Sequence, residues 1–236
     1  TPFFGATIFE IFVDYSFLNG YYAVFLKYFR EKKDYKNKLF VKCLLNLKSF
    51  LNNEKIKNIQ ISDTQLMELH PILIGRYFSN FLLAKKKEAH FYKIKTIANS
   101  ITFLSRDYEI YYEPMVIAIV TNNLKVQSWV IEQIEKHLSK NAYPEPHYLE
   151  TYHLMKTWYY AHTGAIERAK DLFEKININN FILSYKTFLL FFYYAAGHKL
   201  HQTIEFQQLT ENYLEKNPYK YLTQFCANYL KHTSKT

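Results

Sequence analysis

The spacing of apolar residues is the feature that most constrains the fold of this chain of 236 residues. Apolar side chains recur at intervals of about three to four along almost the whole sequence, which is typical of amphipathic helices. No segment shows the alternation of apolar and polar residues that indicates a half-buried strand. The chain contains only 5 Gly and 6 Pro, too few for a fold rich in β-turns. The sequence therefore predicts an all-α protein.

Residues that begin or interrupt helices set the predicted helix boundaries. Ser62 and Asp63 precede a helical run as candidate N-caps, "NAYPEP" (141–146) interrupts the pattern, and Asn217-Pro218 restarts it. No Gly/Ser-rich linker divides the chain, so we predict a single domain spanning 1–236. The predicted helices span 3–18, 21–31, 36–53, 64–83, 87–106, 110–122, 126–139, 146–162, 166–176, 180–196, 200–216 and 218–231.

The stretch "WYYAHTGAIERAKDLFEKI" (158–176) has the order of a tetratricopeptide unit. Tyr160, Gly164, Ala169 and Phe173 occupy the positions that this unit keeps near its turn. Glycine permits the tight turn, a small residue lets the second helix approach the first, and the aromatic residues fill the space between them. The motif predicts two antiparallel helices.

Weaker copies of this motif flank it on both sides. Thirty-three residues on, Tyr193, Gly197 and Phe206 fall at the same offsets, with Gln202 where the small residue belongs. Earlier copies replace the turn glycine with Asn123 and place a small residue at Ser128, or offer Ala84 and Ala89 at the two small positions. These copies predict a superhelical array of antiparallel helix pairs, of the tetratricopeptide type. An irregular helical bundle with a chance match is the alternative.

In such an array the first helix of each pair lines a concave groove. The predicted groove is apolar and aromatic, which suits an extended hydrophobic peptide. Asparagine side chains along it offer both donors and acceptors to a peptide backbone, and one arginine could take a C-terminal carboxylate. Core packing or solvent exposure is the alternative for each position. The candidate peptide-binding residues are Arg76, Phe78, Asn80, Ile117, Asn122, Thr151, Leu154, Trp158, His162, Thr187, Phe191 and Tyr194.

Basic residues concentrate in the first quarter of the chain. Residues 27–57 contain ten Lys and Arg residues against three acidic ones, within a formal net charge of +9 for the whole chain. This segment could face an anionic polymer such as nucleic acid. A solvated lysine-rich surface is the favoured explanation, because the charges are almost all lysine and lie mostly on polar faces.

The remaining patterns favour a cytoplasmic binding protein over an enzyme. No Gly-rich phosphate loop, GxSxG, CxxC or HExxH motif occurs, and no His pair has a third ligand at helical spacing, so we expect no catalysis, no cofactor and no metal. Cys43 and Cys226 are predicted to be reduced core thiols. The longest apolar segment, 181–197, contains Lys186 and is predicted to be a buried helix, not a membrane span. His153 and His162, near the predicted groove, are candidates for a pH-sensing role.

Residues 108–176, roughly a third of the chain, resemble the C-terminal sensor domain of Rgg-type (MutR-like) transcription regulators. The similarity lies in an apolar helix, a helix of the "VIEQIEKHL" kind and a "YY…G…A…F" pair, in that order. The resemblance implies a homodimer that binds a short hydrophobic pheromone peptide and controls gene expression. Such regulators bind DNA through an N-terminal helix-turn-helix domain, which this sequence lacks, so DNA contact is expected only through a further domain.

Two other functions stay open at this point. The first is a helical-repeat adaptor for protein–protein interaction, without a small ligand. The second is a nucleic-acid-associated protein that uses the basic segment 27–57.

Overall fold

A computed structural model describes two stretches of the chain almost continuously and scattered residues before them. For residues 112, 113, 186–188 and 214–216 it describes the backbone alone. The described residues are 39, 42, 43, 45, 46, 49, 55–57, 59–62, 64, 65, 74, 75, 77–80, 95, 111–140, 144–181 and 186–216.

The chain divides into two compact units, residues 1–61 with 214–236 and residues 62–213. The single domain expected over 1–236 stays a prediction. Among the helices expected from the sequence, those at 3–18, 21–31 and 218–231 lie outside the described residues, as does Cys226.

The first unit has a helical face of buried residues. Leu39, Cys43 and Asn46 are helical and buried, and their spacing of four and three places them on one side of the helix. The side-chain amide of Asn46 forms two hydrogen bonds with the backbone of Lys57. Its Nδ2 donates to the Lys57 carbonyl oxygen at 2.6 Å, and its Oδ1 accepts from the Lys57 backbone N–H at 3.0 Å. Both backbone groups of Lys57 are thereby satisfied.

The described residues of the second unit lie mostly in helices, and the described residues of the whole chain contain no strand. The all-α prediction is therefore confirmed for the described part. From residue 112 onward the helices are α1 (Tyr112–Val120), α2 (Leu124–Leu138), α3 (Pro146–His162), α4 (Ile166–Phe173), a 3-10 helix (Ile178–Asn180), α5 (Lys186–His201) and α6 (Ile204–Lys216).

Capping residues explain where several helices begin. Ser62 and Gln65 form a reciprocal capping box, in which each side chain accepts from the other residue's backbone N–H. The Asn123 side chain accepts from the Val126 backbone N–H at 3.2 Å and starts α2. Pro146 occupies the first turn of α3, where its missing N–H costs nothing.

The turn between α3 and α4 forms as the tetratricopeptide motif predicted. Gly164 has a φ of +80°, and the next N–H, that of Ala165, donates to the Tyr160 carbonyl at 2.9 Å. Ala169 and Phe173 are both buried. The Phe173 ring stacks on Tyr193, with centroids 4.5 Å apart. The predicted helix pair within 158–176 is confirmed.

The sequence analysis placed two turns at the wrong residues. Gly197, expected in a turn, lies inside α5, and the left-handed residue is Gln202, with a φ of 52°. A Cβ at Gly197 would lie 2.5 Å from the Phe206 ring, so that glycine is needed for close packing and not for a turn. Likewise Asn122 is the left-handed residue after α1, with a φ of 48°, while Asn123 is the cap of α2.

Helix α3 lies at the centre of the described packing. It contacts α1, α2, α4, α5 and the 3-10 helix; α1 also packs on α2, and α4 packs on α5. The first helices of the three consecutive pairs, α1, α3 and α5, therefore meet at α3. This arrangement positions the site described next.

Candidate functional site

A small apolar cavity lies where α1, α3 and α5 meet. Its volume is about 20 Å³, which is room for a group no larger than a water molecule. Only apolar and aromatic side chains line it, so it offers no polar partner to a water molecule. The lining residues are Val116, Ile119, Leu154, Met155, Trp158, Leu189 and Phe192.

Trp158 ties α3 to α5 at the wall of this cavity. The residue is 1% exposed, and its indole Nε1 donates to the Phe192 carbonyl oxygen at 3.1 Å. The indole also meets the Phe192 ring edge to face, with centroids 6.2 Å apart. The buried indole thus satisfies its one polar group while it contributes apolar area to the core.

His162 lies one helical turn beyond Trp158, with ring centroids 5.3 Å apart. Its Nδ1 is 3.1 Å from Oε1 of the buried Gln127, whose Nε2 donates to the Ala118 carbonyl at 3.0 Å. Because that bond turns the amide oxygen of Gln127 toward the ring, Nδ1 must carry the hydrogen. Nε2 of His162 has no hydrogen-bond partner among the described residues.

Burial and a neighbouring cation keep His162 neutral. Burial, followed by the positive charge of Lys199 on α5, lowers the pKa of His162 from 6.5 to about 4. The neutral ring therefore offers Nε2 as a hydrogen-bond acceptor at the edge of an apolar region.

A polar cluster joins α2 to α3 on another side. Oε1 of Glu135 accepts from the Tyr152 hydroxyl and from Lys156 Nζ, both at 2.6 Å, and Lys156 Nζ is 2.8 Å from the Tyr152 hydroxyl oxygen. Burial, helped by the bond to Glu135, raises the pKa of Tyr152 to about 12. Burial opposes ionisation of Glu135 and Lys156, but their mutual bonds outweigh it, so the pKa of Glu135 falls and that of Lys156 rises. All three groups are satisfied by one another, which indicates a structural link between helices.

Glu150 forms a second polar cluster, on the side of α3 that faces the 3-10 helix. Its carboxylate is buried and accepts from the Asn177 backbone N–H at 3.1 Å and from Asn180 Nδ2 at 3.2 Å. His153 Nδ1 is 3.8 Å from Glu150 Oε2, too far for a hydrogen bond. Burial lowers the pKa of His153, and Glu150 opposes that shift. This cluster holds the segment that follows α4.

Most of the predicted groove residues are packed inside the molecule. Leu154 and Trp158 line the apolar cavity, and His162 adjoins it. Thr151 donates to the His147 carbonyl of its own helix at 2.8 Å. Phe78, Asn80, Ile117 and Phe191 are buried as well.

Two of the predicted positions reach the surface and two are not described. Asn122 is exposed at the left-handed position after α1, and Tyr194 is half-buried against Tyr213 with centroids 5.9 Å apart. Arg76 and the side chain of Thr187 lie outside the described residues. Peptide contact at all of these positions stays a prediction.

Sequence reasoning did not identify several residues of this site. Val116, Met155 and Phe192 line the cavity beside the predicted residues, and a helical projection of α1, α3 and α5 would have found them. Gln127 and Lys199 carry no such signal, because a polar residue within an amphipathic helix is indistinguishable from a surface residue without the fold.

Comparison of the chain with protein-family models, with curated proteins and with solved structures finds no match. Within the described ranges, no helix has the length and apolar character needed to cross a membrane. Among the same residues, no three His, Cys, Asp or Glu side chains come together in a group suited to a metal ion.

Proposed function

We propose that this chain binds a short apolar peptide at the junction of α1, α3 and α5. The observation that carries this proposal is the apolar cavity beside Trp158, lined by three helices and by no polar group. Ligand sites in proteins combine such apolar walls with a few polar groups that fix orientation. Here His162 supplies an acceptor at the edge, and the exposed turn at Asn122 lies at the end of α1.

The resting cavity admits only one small apolar group, so a larger side chain requires a rearrangement. Met155 is the lining residue best suited to give way, because an unbranched thioether repacks at low cost. We therefore infer that one anchor side chain of the peptide displaces Met155, while the rest of the peptide lies along the edge of the cavity.

We propose further that the helix pairs form a superhelical array of the tetratricopeptide type. Three pairs in sequence support it, as do the contacts of α3 with the first helices on either side. The glycine turn and the buried alanine of the α3–α4 pair are the local features that this repeat requires.

The biological role that we propose is that of the sensor part of a peptide-responsive transcription regulator. It would act in the cytoplasm as a homodimer and reach DNA only through a domain outside this sequence. The resemblance of residues 108–176 to Rgg-type sensor domains supports this role.

Native mass spectrometry of the purified chain with a pool of short peptides made of Leu, Ile, Val, Phe and Gly tests the proposal. We expect a dimer that retains one peptide per subunit. Leu154→Trp, which fills the cavity, should abolish retention. The matched control, Leu149→Trp on a half-buried part of α3 outside the cavity lining, should leave it unchanged. A chain that retains no peptide, or an equal effect of both variants, would contradict the proposal.

A protein–protein adaptor is the second candidate, and exposed apolar residues on α6 favour it. Ile204 is 71% exposed and Leu209 is 36% exposed, although such side chains ordinarily avoid water. If the chain ignores every peptide, but Ile204→Ser abolishes capture of a protein partner, the adaptor replaces the peptide sensor.

A further inference from the structure

The contact between α3 and α5 is apolar at one end and charged at the other. On α3, Leu154 and Trp158 line the cavity and His162 follows one turn later. On α5, Leu189 and Phe192 line the cavity, and Lys199 follows at a spacing of seven from Phe192, hence on the same side of the helix. Trp158 meets Phe192, and further along both helices His162 lies within reach of the Lys199 charge, so the two helices run in the same direction.

Lys199 is a half-buried cation without a counter-ion in the described structure. No carboxylate of the described residues lies within ion-pair distance of it, whereas Lys136, Lys156 and Lys170 each pair with a glutamate. The group on which Lys199 acts is His162, which it helps to keep uncharged. A neighbouring anion would remove this repulsion and would find a cation at the edge of an apolar site.

We propose that the His162–Lys199 end of this contact binds the C-terminal carboxylate of the apolar peptide. The inference rests on the proposed function and adds the direction in which the peptide lies. The carboxylate accepts from Lys199 Nζ, and the preceding apolar side chains lie toward Trp158 and the cavity. The Nδ1–H of His162 stays bonded to Gln127 in both charge states. When the ring is neutral, its Nε2 can accept from a backbone N–H of the peptide, and when the ring is protonated, Nε2 donates to the carboxylate.

Charge complementarity decides in favour of a carboxylate over an amide or an amine. At this end Gln127 bonds to His162 and the charge of Lys199 acts on the same ring, while no described carboxylate pairs with Lys199. An amine would be repelled by Lys199, and an amide would gain no charge-assisted bond. Lys199 also lies in the last turn of α5, where a cation complements the helix dipole. If Lys199 only stabilised the end of α5, a peptide with a C-terminal carboxylate and one with a carboxamide would bind equally well.

The test compares peptides that differ only in their C-terminal group. The same pool of Leu, Ile, Val, Phe and Gly peptides is prepared with free carboxylates and with carboxamides, and dissociation constants are measured by calorimetry for the strongest binder of each form. The proteins are the wild-type chain, Lys199→Gln, Lys199→Arg and, as a control remote from the site, Lys170→Gln.

In the wild-type chain, we expect the carboxylate form to bind about fivefold to tenfold more tightly than the carboxamide, the effect of one charge-assisted hydrogen bond at a half-buried position. Lys199→Gln should remove this preference without weakening the carboxamide form, while Lys199→Arg and Lys170→Gln should keep it. Equal dissociation constants for the two forms in the wild-type chain would overturn the inference. A preference for the carboxylate that persists in Lys199→Gln would overturn it as well.

The comparison of termini in the wild-type chain needs no variant, so a variant that fails to fold does not remove the test. The pKa of His162 measured by NMR adds an independent readout, because the carboxylate form should raise it and the carboxamide should not. If both forms bind equally, the proposed peptide binding is supported and the carboxylate site is ruled out. If neither binds, the proposed function falls and this inference falls with it.

Discussion

The indole nitrogen of Trp158 donates to the carbonyl oxygen of Phe192 at 3.1 Å, across the contact between α3 and α5. The bond joins the first helices of two successive pairs at the wall of the apolar cavity. It is buried and directional, so it fixes the separation of the two helices on which the proposed peptide site depends.

Replacing Trp158 with phenylalanine should weaken this contact without removing the aromatic ring. We expect a loss of about 1 to 3 kcal/mol in the free energy of unfolding, because one buried hydrogen bond and part of the indole volume are lost. Urea unfolding followed by circular dichroism measures it. A loss below about 0.5 kcal/mol would show that the bond contributes little to the α3–α5 contact.

Gly197 and Gly164 should respond to alanine for different reasons. In Gly197→Ala the new methyl group meets the Phe206 ring, and we expect destabilisation of about 1 to 3 kcal/mol despite the higher helix propensity of alanine. Phe206→Leu in the same chain should recover part of it. Thermal unfolding of the two single variants and the double variant gives this coupling, and strictly additive effects would contradict the steric explanation.

Gly164→Ala meets no atom within 4 Å, yet the residue has a φ of +80°. We expect a loss of about 1 kcal/mol from backbone strain alone. Gly164→Asn should cost less, since asparagine adopts the left-handed conformation more readily. Equal losses for the two variants in thermal unfolding would argue against backbone strain as the cause.

Glu150→Gln should loosen the segment that follows α4. The glutamine side chain keeps one acceptor and directs an NH₂ group at a neighbouring donor, so we expect a loss of about 1 to 3 kcal/mol. Hydrogen exchange at residues 177–180 should accelerate. Glu132→Gln is the matched control, because Glu132 is exposed and forms its ion pair with Lys136 of its own helix, and it should change stability by less than about 0.5 kcal/mol. Similar losses in both variants would contradict the role of the buried carboxylate.

The charge state of His162 should make the protein less stable in mild acid. Its pKa is about 4 in the folded chain against 6.5 for an ordinary histidine. Between these values the unfolded chain binds a proton that the folded chain does not, so stability falls as pH falls from 6.5 to 4. We expect His162 to contribute about 2 kcal/mol of this loss.

The His162→Gln variant isolates that contribution. Glutamine donates to Gln127 without titrating, so its stability curve should be flatter over the same pH range. His153, whose pKa is also lowered, stays in both proteins and cancels in the comparison. Unfolding free energies from chemical denaturation at several pH values provide the test. Parallel curves for the two proteins would contradict the assignment of the slope to His162.

Helix positions were largely predictable because local signals set them. The sequence predicted a helix over 146–162, and α3 has those bounds, since a proline begins it and the turn at Gly164 follows its end. The predicted helices at 180–196 and 200–216 were displaced from α5 and α6. Gly197 resembles a helix end in sequence, and only its contact with Phe206, across the fold, explains why it is inside a helix.

The candidate site was predicted only in part, for a physical reason. Leu154 and Trp158 were identified, but as residues of an open groove, whereas both are buried between helices. A residue that faces a groove and one that faces a neighbouring helix have the same apolar periodicity, so sequence cannot separate them. The partnership of His162 with Gln127 joins residues 35 apart in sequence and depends on the packing of α2 against α3.

Peptide binding at the α1–α3–α5 junction is tested most directly by the indole N–H signals in a two-dimensional NMR titration. The chain contains 2 Trp, so Trp129 in α2, which does not line the cavity, is an internal reference. A retained apolar peptide should displace Met155, shift the Trp158 signal strongly and leave that of Trp129 nearly unchanged. An unmoved Trp158 signal at saturating peptide, or an equal shift of both indoles, would contradict binding at this site.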